Sequence, residues 1–155
     1  MKLSMKERKF TIRDKFAVQD ENGKDKYQVI GELLSATKTL HIKDMSGNEV
    51  ASIQEKLISL KPKFYLIVNG ERVGEIVKDM SLLGSKYHIT GLDWKIKGDI
   101  SEHKYSIVSA KKTIVGIKKK RLALIGTYVF DIEDEPNEIP ALAAVLAIDY
   151  ISNNS

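Results

Sequence analysis

A run of basic residues in the last third of the chain is the feature of this sequence that could do chemistry. Between residues 104 and 130 there are seven basic residues and no acidic one. They are Lys104, Lys111, Lys112, Lys118, Lys119, Lys120 and Arg121. Clustered positive charges attract phosphate, so this run predicts a binding site for an anionic phospholipid head group or an anionic membrane surface.

The same run has a structural alternative. Lysines on an exposed strand edge prevent edge-to-edge aggregation, and a solvated edge is the commoner role of such a charge run. Residues 131–138 carry five acidic residues and no basic one, which would neutralise part of the positive charge. Nucleic acid is a less favoured partner, because the net charge is only +4 and the predicted strands lack interleaved surface aromatics.

Catalytic and metal-binding patterns are missing from the sequence. The chain has no cysteine, which excludes disulfides, thiolate metal sites and cysteine nucleophiles. His41, His88 and His103 lie far apart, and none belongs to a pair with metal-ligand spacing. No nucleophile elbow and no phosphate-binding glycine loop occurs. The sequence therefore predicts no cofactor, no metal and no enzymatic activity.

The elements that must position the basic residues are short β-strands. Segments of alternating apolar and polar residues are separated by turn signals such as Asn22-Gly23 and Asn69-Gly70. Asn-Gly favours the positive φ angles of a tight hairpin. We count about a dozen such segments, from residues 9–13 to residues 126–132, and this spacing predicts an all-β barrel or sandwich.

The C-terminal segment breaks the strand pattern and predicts one helix over residues 138–151. Asn137 is a favourable N-cap, and Pro140 lies in the first turn, where proline is tolerated. A helix that is apolar on all sides is buried or lies in a membrane, and this one is too short to span a bilayer. We therefore predict a thin, alanine-rich helix that fills the lumen of a closed barrel.

Four residues of this helix have a predicted structural role. Burial of Leu142, Val145 and Leu146 would contribute about 1.5–3 kcal/mol each. Asp149 is the only charged residue between Ile139 and Ile151, and a buried carboxylate without partners would be costly. Either the helix emerges from the barrel at Asp149, or its carboxylate accepts hydrogen bonds.

Phrases between about residues 57 and 151 match a known family in order and spacing. They are SLKPKFY at 59–65, VGEI at 73–76, WKIKGD at 94–99, YSI at 105–107, IKKK at 117–120, YVFDI at 128–132 and LAID at 146–149. With them the chain resembles the LURP-one-related proteins. The resemblance implies a tubby-like fold, a twelve-stranded closed barrel threaded by the C-terminal helix. It is shared with phosphoinositide-binding tubby proteins and phospholipid scramblases. The family's acidic residue before the tyrosine of the last strand is missing here, where the chain reads Gly126-Thr127-Tyr128.

The functional prediction is a non-enzymatic binding module for anionic phospholipid head groups or a membrane surface. The alternative is a protein-interaction or structural module with an unknown protein partner and no lipid role. At 155 residues the chain is predicted to be one domain, residues 1–155. The start lacks the apolar stretch of a signal peptide, so we predict a cytoplasmic location with peripheral attachment to a membrane.

Overall fold

The computed structural model describes residues 1–6, 15–34, 37–55, 63–81, 84–110, 112–122 and 125–153. Within these ranges it has twelve strands. They are β1 (Lys2–Lys6), β2 (Lys15–Gln19), β3 (Asp25–Leu34), β4 (Thr37–Asp44), β5 (Glu49–Glu55), β6 (Lys63–Val68), β7 (Glu71–Ser81), β8 (Gly84–Thr90), β9 (Trp94–Asp99), β10 (Lys104–Val108), β11 (Thr113–Leu122) and β12 (Ile125–Ile132). Each strand pairs antiparallel with its neighbours in the chain, and β1 closes the barrel against β12. The predicted barrel is therefore confirmed, whereas the predicted strand at residues 9–13 lies outside the described residues.

Tight turns stabilised by their own side chains connect the strands at one end of the barrel. Asn69 and Gly70 both have positive φ, 50° and 81°, as a two-residue hairpin loop requires. Asp20 and Asp44 each accept two backbone N–H groups of the turn that follows them. These local bonds explain why the turn signals of the sequence locate the hairpins correctly.

One helix, α1 (Glu138–Asn153), fills the lumen of the barrel. The prediction of a central helix over 138–151 is confirmed, with two more residues at its C-terminal end. Asn137, the predicted N-cap, ends a 3-10 turn that leads directly into α1. Every residue from Ala141 to Ile148 is at most 1% exposed. No helix in the described ranges is long and apolar enough to cross a membrane.

The helix and the inner face of the barrel wall form one hydrophobic core. Inward residues alternate with outward ones along each strand. The inward set includes Val18, Val29, Ile42, Ile53, Leu66, Ile76, Ile89, Ile107, Val115 and Phe130. The helix packs against β5, β6, β7 and β12, with Leu142, Val145 and Leu146 all buried. Its alanines keep it narrow enough for this enclosure.

A buried carboxylate ties the start of the helix to the barrel wall. Glu138 is 6% exposed, and Lys26 Nζ donates a hydrogen bond to Glu138 Oε1 at 2.5 Å. Tyr27 also hydrogen-bonds to Glu138, and burial together with the charge of Glu138 raises the pKa of Tyr27 to about 12. A negative charge in the first turn also complements the helix dipole.

Removal of the Lys26 ammonium group should weaken the connection between Glu138 and the barrel wall. We expect Lys26→Met to lower the free energy of unfolding by about 1–3 kcal/mol, because it leaves the buried Glu138 carboxylate with one partner fewer. Urea unfolding followed by circular dichroism measures the change. Lys24→Met, at an exposed turn position two residues away, should stay within about 0.5 kcal/mol of the unsubstituted protein. Equal losses in the two variants would contradict the role of the ion pair.

Two short pairings divide the barrel into halves. Among the described residues, β1 and β2 pair only at Ser4 and Gln19, and β8 and β9 pair at two positions. Every other neighbouring pair has at least five positions in register. One half is therefore a five-stranded sheet, β9 to β12 with β1, and the other is β2 to β8. The basic run of the sequence belongs to the five-stranded sheet.

Candidate anion-binding groove

Lysines from three adjacent strands meet on the outer face of the five-stranded sheet. The register places Lys104 of β10 directly opposite Lys118 of β11. Two residues further along β10, Ser106 lies between Lys97 of β9 and Gly116 of β11. The three lysines are exposed. We call the surface formed by these five residues the Gly116 groove.

The Gly116 groove is a shallow depression with a volume of about 360 Å³. Its floor is made by the small residues Ser106 and Gly116 together with the backbone of Gly98, Tyr105 and Ile117. The side chains of Tyr105 and Ile117 point into the core and are 7% and 3% exposed. The lysine side chains therefore surround a surface that consists mostly of backbone.

The lysines of the groove form no salt bridge with the carboxylates of the described residues. Among the described residues, none forms an ion pair with Lys97, Lys104 or Lys118. Lys112 differs, because its ammonium group pairs with the carboxylate of Asp134. Like charges directly opposite each other on neighbouring strands are destabilising. An anion between Lys104 and Lys118 would relieve this repulsion.

Acidic residues mark both margins of the groove. Asp99 lies opposite Lys104 on the β9 side. Its carboxylate accepts the Ser101 hydroxyl at 2.5 Å and the Glu102 N–H, and these bonds hold the pKa of Asp99 below its usual value. On the other side Asp131 of β12 lies opposite Gly116. The positive surface is therefore a small patch between two negative margins.

The structure brings together two of the seven predicted basic residues, Lys104 and Lys118. Lys112 lies directly before β11 and six residues before Lys118, which corresponds to roughly 20 Å along an extended chain. Lys119 faces the opposite side from Lys118, and its Nζ lies 6.0 Å from the centre of the Tyr128 ring. Among the residues that the structure describes, Lys112 at the hairpin tip and Lys118 and Lys119 in the strand therefore do not converge on one site.

The other predicted residues cannot be assigned to the groove. Lys111 lies outside the described residues. Lys120 and Arg121 continue β11, where their backbones pair with Thr127 and Gly126, but their side chains are outside the described part of the structure.

Lys97 is the groove residue that the sequence analysis missed. It lies outside the basic run, in the segment WKIKGD of β9, where two lysines alternate with apolar and small residues. That alternation shows that Lys97 points outward. Only the pairing of β9 with β10 shows that it lies beside Ser106.

The histidines lie in separate surroundings. His41 Nε2 is 2.7 Å from Glu32 Oε2, and its Nδ1 contacts Glu49. His103 Nε2 is 3.5 Å from the Tyr128 hydroxyl. The two glutamates flank opposite ring nitrogens of His41 and so do not converge on one point. Within the described ranges no group of histidine and acidic residues could hold a metal ion.

Asp149 lies inside the barrel near the C-terminal end of the helix. It is 6% exposed, so the helix does not emerge from the core at this residue. Burial raises the pKa of Tyr105 well above its ordinary value, and the nearby charge of Asp149 raises it further. The structural role predicted for Asp149 remains a prediction.

A closed antiparallel barrel of twelve strands threaded by one apolar helix defines a tubby-like barrel protein. The chain belongs to the LURP-one-related family, whose sequence profile matches residues 1–150. The resemblance seen from about residue 57 therefore extends to the N-terminus.

The chain is also similar to two known proteins. The uncharacterised protein YxjI of Bacillus subtilis (strain 168) is 27% identical over 154 residues, which cover 99% of this chain and 95% of YxjI. A protein from Arabidopsis thaliana, known from an X-ray structure, has a TM-score of 0.59 and 14% identity. That match covers 99% of this chain and 92% of the Arabidopsis chain. At this identity the likeness shows the fold alone.

Proposed function

We propose that this protein is a non-enzymatic, cytoplasmic module that binds anionic phospholipid head groups at the membrane surface. The observation that carries the proposal is the Gly116 groove, where Lys97, Lys104 and Lys118 are exposed without an ion-pair partner among the described residues. The filled lumen supports a function on the outer surface, because residues from Ala141 to Ile148 occupy the interior.

The expected affinity of this surface is modest. A lysine near an anionic leaflet contributes about 1 kcal/mol, so the three lysines together would contribute about 3 kcal/mol. Attraction of this kind is screened over about 8 Å at physiological ionic strength. Binding through the groove should therefore be reversible and should weaken as salt is added.

Charge reversal at the groove should remove vesicle binding. We expect Lys104→Glu with Lys118→Glu to weaken binding to phosphatidylcholine vesicles that contain phosphatidic acid or a phosphoinositide on the order of 100-fold, since the variant changes the local charge by four. Co-sedimentation at several salt concentrations measures it. The wild-type protein should not pellet with phosphatidylcholine alone.

A charge-matched control separates the groove from net charge. Lys24→Glu with Lys43→Glu makes the same change in charge on the β2 to β8 half, and we expect binding close to that of the wild type. Equal pelleting with neutral and anionic vesicles, unchanged in the groove variant, would contradict the proposal. That result would favour the protein-interaction alternative.

A further inference from the structure

Gly116 lies in the middle of β11, yet the fold does not require glycine there. A Cβ atom added to Gly116 would meet no atom within 4 Å, and its φ is outside the left-handed region. Glycine in a strand interior weakens the strand, because it loses more backbone freedom and has no side chain to pack. A different residue at position 116 would therefore be expected to stabilise this sheet.

Other glycines of the barrel have a clear structural reason. A Cβ at Gly74 would lie 2.7 Å from the backbone oxygen of Thr90, and one at Gly98 would lie 2.7 Å from the backbone oxygen of Lys104. Gly70 has a φ of +81°, which favours glycine. Gly116 shows neither a close backbone contact nor a positive φ. Glycine in a strand can also mark a site where a ligand approaches the backbone.

We infer that the Gly116 groove binds one phosphate monoester, which lies over the Cα atom of Gly116 between Lys97, Lys104 and Lys118. The inference rests on the proposed function and adds the position and the chemistry of the ligand. Lysine ammonium groups would contact the phosphate oxygens, and the Ser106 hydroxyl is a further donor beside Gly116. The missing side chain at position 116 provides the space.

Charge favours a monoester head group over other anions. A phosphate monoester has a charge of about −1.5 to −2 at pH 7 and three strong acceptor oxygens, which suits a patch of three lysines better than the single charge of a diester. The depression, of about 360 Å³, is open to solvent and leaves the esterified group free to extend away from the surface. Asp99 and Asp131 at the margins would repel a longer polyanion.

Substitution of Gly116 tests the position without removing any charge. In Gly116→Phe the ring fills the groove, whereas Thr39→Phe places the same ring on the outer face of β4 as a control. The probes are phosphatidylcholine vesicles containing either phosphatidic acid, a monoester, or phosphatidylglycerol, a diester, matched in surface potential. We expect the wild type and Thr39→Phe to prefer phosphatidic acid about tenfold, because the monoester adds charge-assisted hydrogen bonds. Gly116→Phe should lose that preference.

A second variant of Gly116 and a soluble phosphate ester test the site even if Gly116→Phe does not fold. Gly116→Thr, which suits a strand, should raise the melting temperature and weaken binding of phosphatidic acid. Glycerol 3-phosphate should shift the amide resonances of Ser106 and Gly116 in the wild type. Complete competition by glycerol 3-phosphate would assign the site to soluble phosphate esters, and retained vesicle binding would assign it to lipid. Both outcomes support a monoester site when these amide shifts are observed, and the absence of a shift at Ser106 and Gly116 would contradict it.

The failures of the two hypotheses can be distinguished. If Gly116→Phe and Gly116→Thr bind phosphatidic acid like the wild type while Lys104→Glu with Lys118→Glu does not, membrane binding holds and the groove inference is wrong. If none of these variants changes binding, the proposed function is wrong as well. Equal affinity of the wild type for the two lipids would also overturn the monoester inference.

Discussion

Leu146→Ala is expected to lower the free energy of unfolding by about 2–5 kcal/mol. Leu146 is 0% exposed and lies on the helix inside the barrel. The wall around it is a closed antiparallel sheet in which each strand is paired on both sides. Such a wall cannot move inward without breaking its hydrogen bonds, so the cavity left by the truncated side chain stays largely unfilled. The cost should therefore fall in the upper part of the range.

Urea unfolding with a two-state fit measures this loss, which corresponds to a decrease in melting temperature on the order of 10 °C for a chain of this size. The matched control is Met45→Ala, because Met45 is a large apolar residue in a turn and is 53% exposed. It should change the free energy of unfolding by no more than about 0.5 kcal/mol. A similarly small effect of Leu146→Ala would show that the lumen is not tightly packed.

The second large effect is loss of stability in alkaline solution. Burial is the main cause of a raised pKa at Tyr27, Tyr87 and Tyr105, and the pKa of Tyr27 reaches about 12. In the unfolded chain all three ionise near pH 10. Their contribution to stability is therefore complete below pH 10 and is lost as the pH rises through the folded-state pKa values. Tyr27 alone accounts for about 2–3 kcal/mol between pH 10 and pH 12.

Urea unfolding at a series of pH values, combined with tyrosinate absorbance, measures the effect. We expect the unfolding midpoint to fall steeply above pH 10, and the buried tyrosines to ionise together with unfolding. Tyr27→Phe should make the decline shallower, whereas Tyr65→Phe, on the outer face, should leave its slope unchanged. Constant stability up to pH 12 would refute the assignment of these tyrosines as buried neutral groups.

Local signals in the sequence were sufficient to predict most elements of this fold, although β1 (Lys2–Lys6) lies before the first predicted strand. Alternation of apolar and polar residues depends only on the geometry of one strand, and Asn69-Gly70 forms its hairpin from its own backbone preferences. The uncharged stretch from Ile139 to Ile148 likewise indicates burial on every side. Strands and helix could therefore be recognised without knowledge of their neighbours.

Contacts between distant segments could not be predicted in the same way. Lys112 and Lys118 belong to one basic run but lie far apart, because an extended strand separates them along the barrel wall. The connection of Glu138 with Lys26 joins residues 112 positions apart and has no local signal in the sequence. The burial of Asp149 inside the barrel also follows from the enclosing strands.

The basic run between residues 104 and 130 illustrates the difference between local signals and contacts of distant segments. The sequence by itself determined a wall of about a dozen strands, the apolar helix and the excess of positive charge after residue 104, because each depends on residue type and short-range spacing. Tertiary structure alone decided which charges act together. Pairing between strands places Lys97, Lys104 and Lys118 around Gly116, and a strand that is buried on one face keeps its register because a shift by one residue would expose its inward side chains.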